Sequence, residues 1–324
     1  MKGFKSLPKY LPPRVEHPKN KKDFKYIPKK IFQTWETNKV SLEMYDAVHT
    51  WIDKNPDWEY HFFDAKARRN FIKDNFPKKV LEAYDALIPG AYKADLWRYC
   101  VLYIHGGVYA DIKLVLCNQL DKLIDTNTQF TSVKERWPEK GGVHNSFLCS
   151  MPKHKFLKSA IDLIVYNVNS GYFGEKAISP TGPFALGMAI NLVLGRDVRK
   201  DFKVGFQRVA DFEFTLWFFS RKHLFSKSPK IHTVFLDRKH KYKCFHTKYK
   251  FYSQEKKLVL KGDNKKDYGY CWENLEIYDS TPIDREKILY PVISQVKKAY
   301  KKKNYKKARK LIKERFFKYK QFKL

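Results

Sequence analysis

Short runs of β-branched and aromatic residues alternate along this chain with longer stretches in which apolar positions recur every three or four residues. The run Lys29-Lys30-Ile31-Phe32-Gln33-Thr34-Trp35, entered through Pro28, has the composition of a strand. Ser41 is placed to cap a helix over 44–54, which stops before Asn55-Pro56, and a second strand is expected over 58–63. Asp64 is an N-cap candidate for a helix over 65–75, and 79–87 again has helical spacing. A helix over 91–105 should open at Pro89 or Gly90 and end at Gly106, followed by a strand over 108–115. Further strands are expected at 129–134, 146–150 and 233–236, with helices at 154–166 and 184–194. The β, α, β, α order predicts an α/β fold in which a layered sheet carries flanking helices.

The two ends break this pattern. Residues 1–26 are rich in Pro and Lys without periodicity and read as an irregular basic arm. Residues 284–324 read as a basic helical extension with one apolar stripe at Ile288, Val292, Val296 and Ala299. Residues 27–283 are left as one catalytic-sized domain.

Composition adds a strong electrostatic statement. Lys and Arg number 65 against 34 Asp and Glu, a formal charge of +31, so the surface field attracts polyanions or anionic membranes. The five cysteines are odd in number, widely spaced and set among apolar neighbours, which reads as reduced core thiols. No apolar run approaches the ~18–20 residues of a membrane span, and charges stand where a signal peptide needs an apolar stretch. A soluble, cytoplasmic protein is therefore expected, neither secreted nor membrane-spanning, with peripheral contact to anionic membrane through its basic C-terminus.

The candidate chemistry lies between 90 and 113. Asp95 and Arg98 stand one helical turn apart on a helix otherwise lined by Tyr92, Leu96, Trp97 and Tyr99, where charge is costly unless it is partnered. Gly106-Gly107 breaks the helix, and strand alternation would point Asp111 and Lys113 to one face. Carboxylates and cations gathered in this way suit a charged, polyhydroxylated ligand.

Three stretches carry a family resemblance: Ile27-Pro28-Lys29-Lys30-Ile31-Phe32-Gln33-Thr34-Trp35, Tyr92-Lys93-Ala94-Asp95-Leu96-Trp97-Arg98-Tyr99 and Gly106-Gly107-Val108-Tyr109-Ala110-Asp111. Together they resemble the glycosyltransferases of family 32, with their DXD sugar-binding region. The resemblance implies a GT-A-like fold, a single mixed sheet with flanking helices, and a retaining transfer from a UDP- or GDP-sugar to a glycan or other acceptor. It implies Trp35 near the nucleotide base, Asp95 and Arg98 on the donor sugar and diphosphate, and Asp111 on ribose, sugar or metal. Tyr92, Gly107 and Tyr109 fall in the same donor-binding motifs. A weaker continuation would set Asn145, Thr181 and Gly182 in an acceptor or sugar pocket, although a turn at His144-Asn145 and a helix entry at Thr181-Gly182-Pro183 are also ordinary structure.

The family's second motif carboxylate is replaced here by Lys113, which leaves three readings open. Lys113 can neutralise the diphosphate without metal. Asp267, before the aromatic run Tyr268, Tyr270 and Trp272, can complete a Mn²⁺ or Mg²⁺ site with Asp111. Or the fold can be catalytically impaired and used for binding, a nucleic-acid or anionic-membrane protein working through its basic surface. That rival explains the basic tail but leaves the 95–113 constellation unused, so nucleic acid is not the expected partner. His246 reads as a structural histidine, and no Ser-His-Asp, Cys-His, Walker or dinucleotide motif stands in the required context.

Overall fold

The computed structural model describes residues 8–16, 24–135, 141–219, 233–235, 242–253, 255, 267–279 and the isolated positions 304, 306, 307 and 310. Apart from those four positions, the helix expected over the last forty residues lies outside the described residues.

Part of the arm expected to be irregular is ordered against the sheet. Lys9–Tyr10 (β1) and Arg14–Val15 (β2) are short strands, and Leu11 between them is buried. Lys30–Thr34 (β3) follows, then Lys39–Val40 (β4), which pairs with β1, and the helix Leu42–Ile52 (α1), whose N-cap Ser41 accepts the Met44 N–H. Glu59–Phe63 (β5) leads into Ala65–Asn75 (α2), capped by the Asp64 side chain on the Ala67 N–H. Lys78–Ala86 (α3) and Gly90–His105 (α4) complete this helical layer.

The strand expected over 108–115 is two short strands separated by a turn. Gly107–Ala110 (β6) ends where the Asp111 N–H donates to the Ser146 carbonyl at 2.7 Å, and the Leu114 N–H then closes a turn onto the Asp111 carbonyl at 2.9 Å. Val115–Leu116 (β7) pairs elsewhere in the sheet. The turn is defined by these two backbone hydrogen bonds and not by burial, since Ile112 and Leu114 lie in the same core and alternation would also have put them on one face.

Leu120–Leu123 (α5), Phe130–Lys134 (β8), Val143–Ser150 (β9), Lys155–Asn169 (α6) and Pro183–Val193 (α7) come next. A hairpin of Gly205–Val209 (β10) and Phe212–Phe219 (β11), the strands Thr233–Phe235 (β12) and Lys243–His246 (β13), and the helix Tyr268–Asn274 (α8) finish the described chain. The sequence pattern alone gave no strand at β10, β11 or β13.

Among the described residues, eleven strands form one mixed sheet in the order β2-β5-β3-β6-β9-β8-β11-β12-β13-β7, with β10 on β11. Strands β5, β3 and β6 run parallel, as do β8 and β11, while β9 runs antiparallel between β6 and β8. Alternate residues serve two cores. Phe32, Tyr109 and Leu148 face the layer built from α2, α3, α4, α6 and α7, whereas Ile31, Val108, Phe147 and Cys149 face α1 and α5. Burial on both faces accounts for strands that read as nearly continuous apolar runs. The mixed sheet with flanking helices is the α/β architecture expected from the sequence. Its topology places the carboxyl ends of β3, β6 and β8 and the start of β9 at one rim, where open α/β sheets commonly bind ligands.

Candidate active site

Four charged side chains converge at this rim, two from α4 and two from the turn after β6. Pro89 begins α4, and its first turn is tightly packed: a Cβ on Gly90 would lie 2.8 Å from the Glu36 carboxylate. The helix ends at Gly106, where the chain passes directly into β6. Gly107 there has φ +92°, and a Cβ would stand 2.5 Å from the Lys30 carbonyl. These two glycines let β6 lie against β3 and carry Asp111 to within reach of the helix face that holds Asp95 and Arg98.

Arg98 joins the two carboxylates. Its Nη2 is 3.1 Å from Asp95 Oδ1 and its Nη1 is 3.2 Å from Asp111 Oδ1, while Nη1 also donates to the Asn145 carbonyl at 2.6 Å and Nε to the Ala94 carbonyl. The guanidinium lies 4.4 Å from the centre of the Tyr109 ring. With its side chain only 7% exposed, Arg98 is committed to holding the protein site together.

Asp95 is built into a cage. Its Oδ1 accepts from Asn145 Nδ2 at 2.9 Å and its Oδ2 from Thr181 Oγ1 at 2.7 Å, and Asn145 is itself held by the Tyr99 hydroxyl. Burial pushes the Asp95 carboxyl upward, against the opposing pull of Arg98 and of the Thr181 and Asn145 hydrogen bonds. Asn145 and Thr181, expected to line an acceptor or sugar pocket, direct their side chains to this carboxylate. Gly182 is the N-cap of α7 and makes room for the Ile178 carbonyl.

Asp111 stands between Arg98 and Lys113. Tyr109 donates its hydroxyl to Oδ1 at 2.8 Å, and Lys113 Nζ lies 2.8 Å from Oδ2. Burial opposes ionisation, but Lys113 and then Arg98 outweigh it and hold the Asp111 carboxyl at about 2. Asp111 and Lys113 therefore do meet, although a turn and not strand alternation brings them together. Segment 249–252 braces that turn: the Tyr249 N–H donates to the Lys113 carbonyl at 3.2 Å, and the Tyr252 ring centre is 5.7 Å from Lys113 Nζ.

Trp35 follows β3 on the same rim. Its N–H donates to the Phe63 carbonyl at 3.3 Å, and its carbonyl accepts from the buried Arg68, which also pairs with Glu36 at 2.8 Å. Tyr92 is buried, donates its hydroxyl to the Ala177 carbonyl and packs 6.1 Å from Tyr268. Asp267 caps α8, accepting from the Gly269 and Tyr270 N–H groups. Trp272 is buried and donates to the Phe173 carbonyl, whereas Tyr270 is exposed.

Sequence reasoning missed four residues. Arg68, a charge on the inward face of α2, fixes the Trp35–Glu36 loop; its lone position among Ala65, Phe71 and Ile72 was the available signal. His144, read as a turn residue, belongs to β9, shares a hydrogen bond with Ser146 Oγ at 2.7 Å and sits in the field of Lys113, Asp111 and Arg98. Tyr249 and Tyr252 lie more than 130 positions along the chain from Lys113, and no local signal marks them.

A divalent ion, implied by the DXD resemblance, does not suit this donor set. Asp111 Oδ2 faces an ammonium at 2.8 Å, Oδ1 faces a guanidinium and a phenol, and Asp267 is used in a helix cap. Among the described residues no three His, Cys, Asp or Glu side chains converge as a metal site.

The comparisons with known proteins fall on the same segment. Residues 41–130, which contain Asp95, Arg98, Asp111 and Lys113, match the family model described as the glycosyltransferase sugar-binding region containing the DXD motif. The resemblance read from the sequence is thus borne out over this stretch. Inositol phosphoceramide mannosyltransferase 2 of Schizosaccharomyces pombe is 34% identical over 161 residues, 49% of this chain and 45% of that protein. The initiation-specific alpha-1,6-mannosyltransferase of Candida albicans is 32% identical over 118 residues, 35% of this chain and 31% of that protein. The chain thus spans less than half the length of either relative.

Proposed function

We propose that this protein is a glycosyltransferase that moves a hexose from a UDP- or GDP-sugar to an acceptor hydroxyl with retention, giving an α-linked product. The observation that carries this reading is the convergence of Asp95, Arg98, Asp111 and Lys113 at the carboxyl rim of the sheet, inside the matched sugar-binding region.

Each group then has a task. Asp95 and Asp111 retain lone pairs for sugar and ribose hydroxyls, Arg98 keeps the two carboxylates in fixed register, and Trp35 offers a ring for the base. Transfer breaks the bond between the anomeric carbon and the diphosphate oxygen and forms one to the acceptor oxygen on the same face. The acceptor proton passes to the departing phosphate oxygen, so no protein base is required. Positioning and stabilisation of the charge on the leaving diphosphate supply the rate enhancement.

The names of the relatives bear on the substrates. Both are mannosyltransferases, which makes mannose the first sugar to test, and one acts on an inositol phosphoceramide. A membrane lipid acceptor accords with the +31 charge of this chain.

A thermal-shift and hydrolysis screen of UDP- and GDP-sugars, with and without Mn²⁺, tests the reading. A ligand at ~100 times its Kd adds about 2.7 kcal/mol of stability, which such a screen resolves. One donor is expected to stabilise the protein and to be slowly hydrolysed, with both effects lost in Asp111→Ala. If no donor does so under either condition, the protein is not a nucleotide-sugar transferase.

A further inference from the structure

The four charged groups of the rim sum to zero, two carboxylates against two cations, where an aspartate at position 113 would leave the site at −2. A negative site needs an added cation before it can accept a diphosphate; this one does not. The positive charge is also in a specific place. Lys113 Nζ stands 2.8 Å from Asp111 Oδ2. It is held there by the turn from Asp111 to Leu114 and by the Tyr249 N–H on its own carbonyl. A divalent ion bound to Asp111 would meet both this ammonium and the Arg98 guanidinium 3.2 Å from the other oxygen.

Exposure decides which of the two cations meets the ligand. The Arg98 side chain is 7% exposed, with two hydrogen bonds to the Ala94 and Asn145 carbonyls and ion pairs to Asp95 and Asp111, whereas the Lys113 side chain is 30% exposed. Lys248 brings further positive charge within the field of Lys113, its Nζ tied to Ser253 Oγ at 2.6 Å. The outward-facing charge at the rim is therefore an ammonium on a braced turn.

We infer that Lys113 takes the place of the divalent cation, so that this site binds the diphosphate of its donor without metal. The inference rests on the nucleotide-sugar reading above and specifies how that site recognises its ligand. In the transfer step Lys113 remains protonated throughout: the electron pair of the broken bond goes to the diphosphate oxygen, the acceptor proton follows it, and the ammonium stabilises the charge that develops.

Isothermal titration of UDP and of GDP into the full chain, in EDTA and in Mn²⁺, tests this by binding alone. For the nucleotide that binds, the affinity is expected to agree within about twofold between the two buffers, because loss of one charge-assisted contact, worth about tenfold or more, does not occur on chelation. Lys113→Ala should weaken binding about tenfold or more in EDTA, Lys113→Arg should retain most of it, and Lys113→Asp should bind in Mn²⁺ but not in EDTA. Melting curves of each variant establish that it is folded before its affinity is read. Binding by the wild type in Mn²⁺ alone would overturn the inference and leave the transferase reading standing, as would a folded Lys113→Ala with wild-type affinity in EDTA. Absence of binding by either nucleotide in either buffer would overturn both.

Discussion

Asp111 has its carboxylate compressed between an ammonium and a guanidinium, and its ionisation is the most strongly favoured of the carboxyl groups at the rim. A carboxyl held at about 2 in the folded chain against its ordinary 3.8 contributes roughly 2 kcal/mol of stability at neutral pH. Because the folded value is the lower one, that contribution is complete above the unfolded value and is lost as the pH falls toward the folded one. The difference in unfolding free energy between wild type and Asp111→Asn should therefore be greatest above about pH 4 and shrink toward pH 2. Denaturant titrations of both proteins at a series of pH values measure it; a difference that is flat with pH would show that the pairing with Lys113 adds nothing to stability. At this scale the sequence showed which charged residues lie close along the chain but not which partners hold them. Arg98 looked like a diphosphate fork, and its surroundings make it a strut between two carboxylates.

At the scale of elements, the caps and the glycines are where sequence and structure agree most closely. Ser41 and Asp64 cap α1 and α2 through side-chain oxygens on the third residue after them in the chain, as their residue types predict. Gly106-Gly107 ends α4 and begins β6 with hardly a residue between, which only positive φ angles permit. Gly107→Ala is expected to destabilise by at least about 2 kcal/mol, since left-handed strain adds to a Cβ placed 2.5 Å from the Lys30 carbonyl. Gly195 has φ +62° with open space around the position of a Cβ, so Gly195→Ala should cost about 1 kcal/mol from strain alone. Urea unfolding of the two variants gives the comparison, and equal losses would mean that the close approach of β3 and β6 is less rigid than described. The strand expected over 108–115 is broken at this same scale, because the Leu114 N–H closes a turn onto Asp111 and β7 pairs with the distant β13, neither of which a local alternation rule encodes.

Considered whole, the protein sets a nearly neutral site in a strongly basic chain. The field of +31 charges acts over distances set by salt, with a screening length of ~10 Å at 0.1 M and ~3 Å at 1 M. The full chain is expected to sediment with vesicles containing phosphatidylserine at low salt, to be released near 1 M salt, and to ignore vesicles of phosphatidylcholine alone. Indifference to the anionic lipid would remove the membrane from the proposed setting of the reaction. Among the described residues no helix is long and apolar enough to cross a membrane, and no disulfide joins any of the five cysteines.

The alternation of β3, α1, β5, α2, α3, α4 and β6, the bounds of those helices to within two residues, the caps and the cluster of charged residues from 95 to 113 were determined by the sequence itself. Each depends on contacts a few residues apart, which periodicity and capping chemistry encode directly. The tertiary structure decided what such rules cannot reach. It placed β9 between β6 and β8, so that Asn145 and Ser146 meet Asp95 and Asp111. It added strands β10 and β13, which are short and partly polar, it paired the aromatic run of β11 with β8 more than eighty residues earlier, and it brought Tyr249 and Tyr252 onto Lys113 from far along the chain. The same long-range packing gave Lys113 its turn, its carboxylate and its exposure, because the energy of a buried charge depends on partners that the chain supplies only once it has folded.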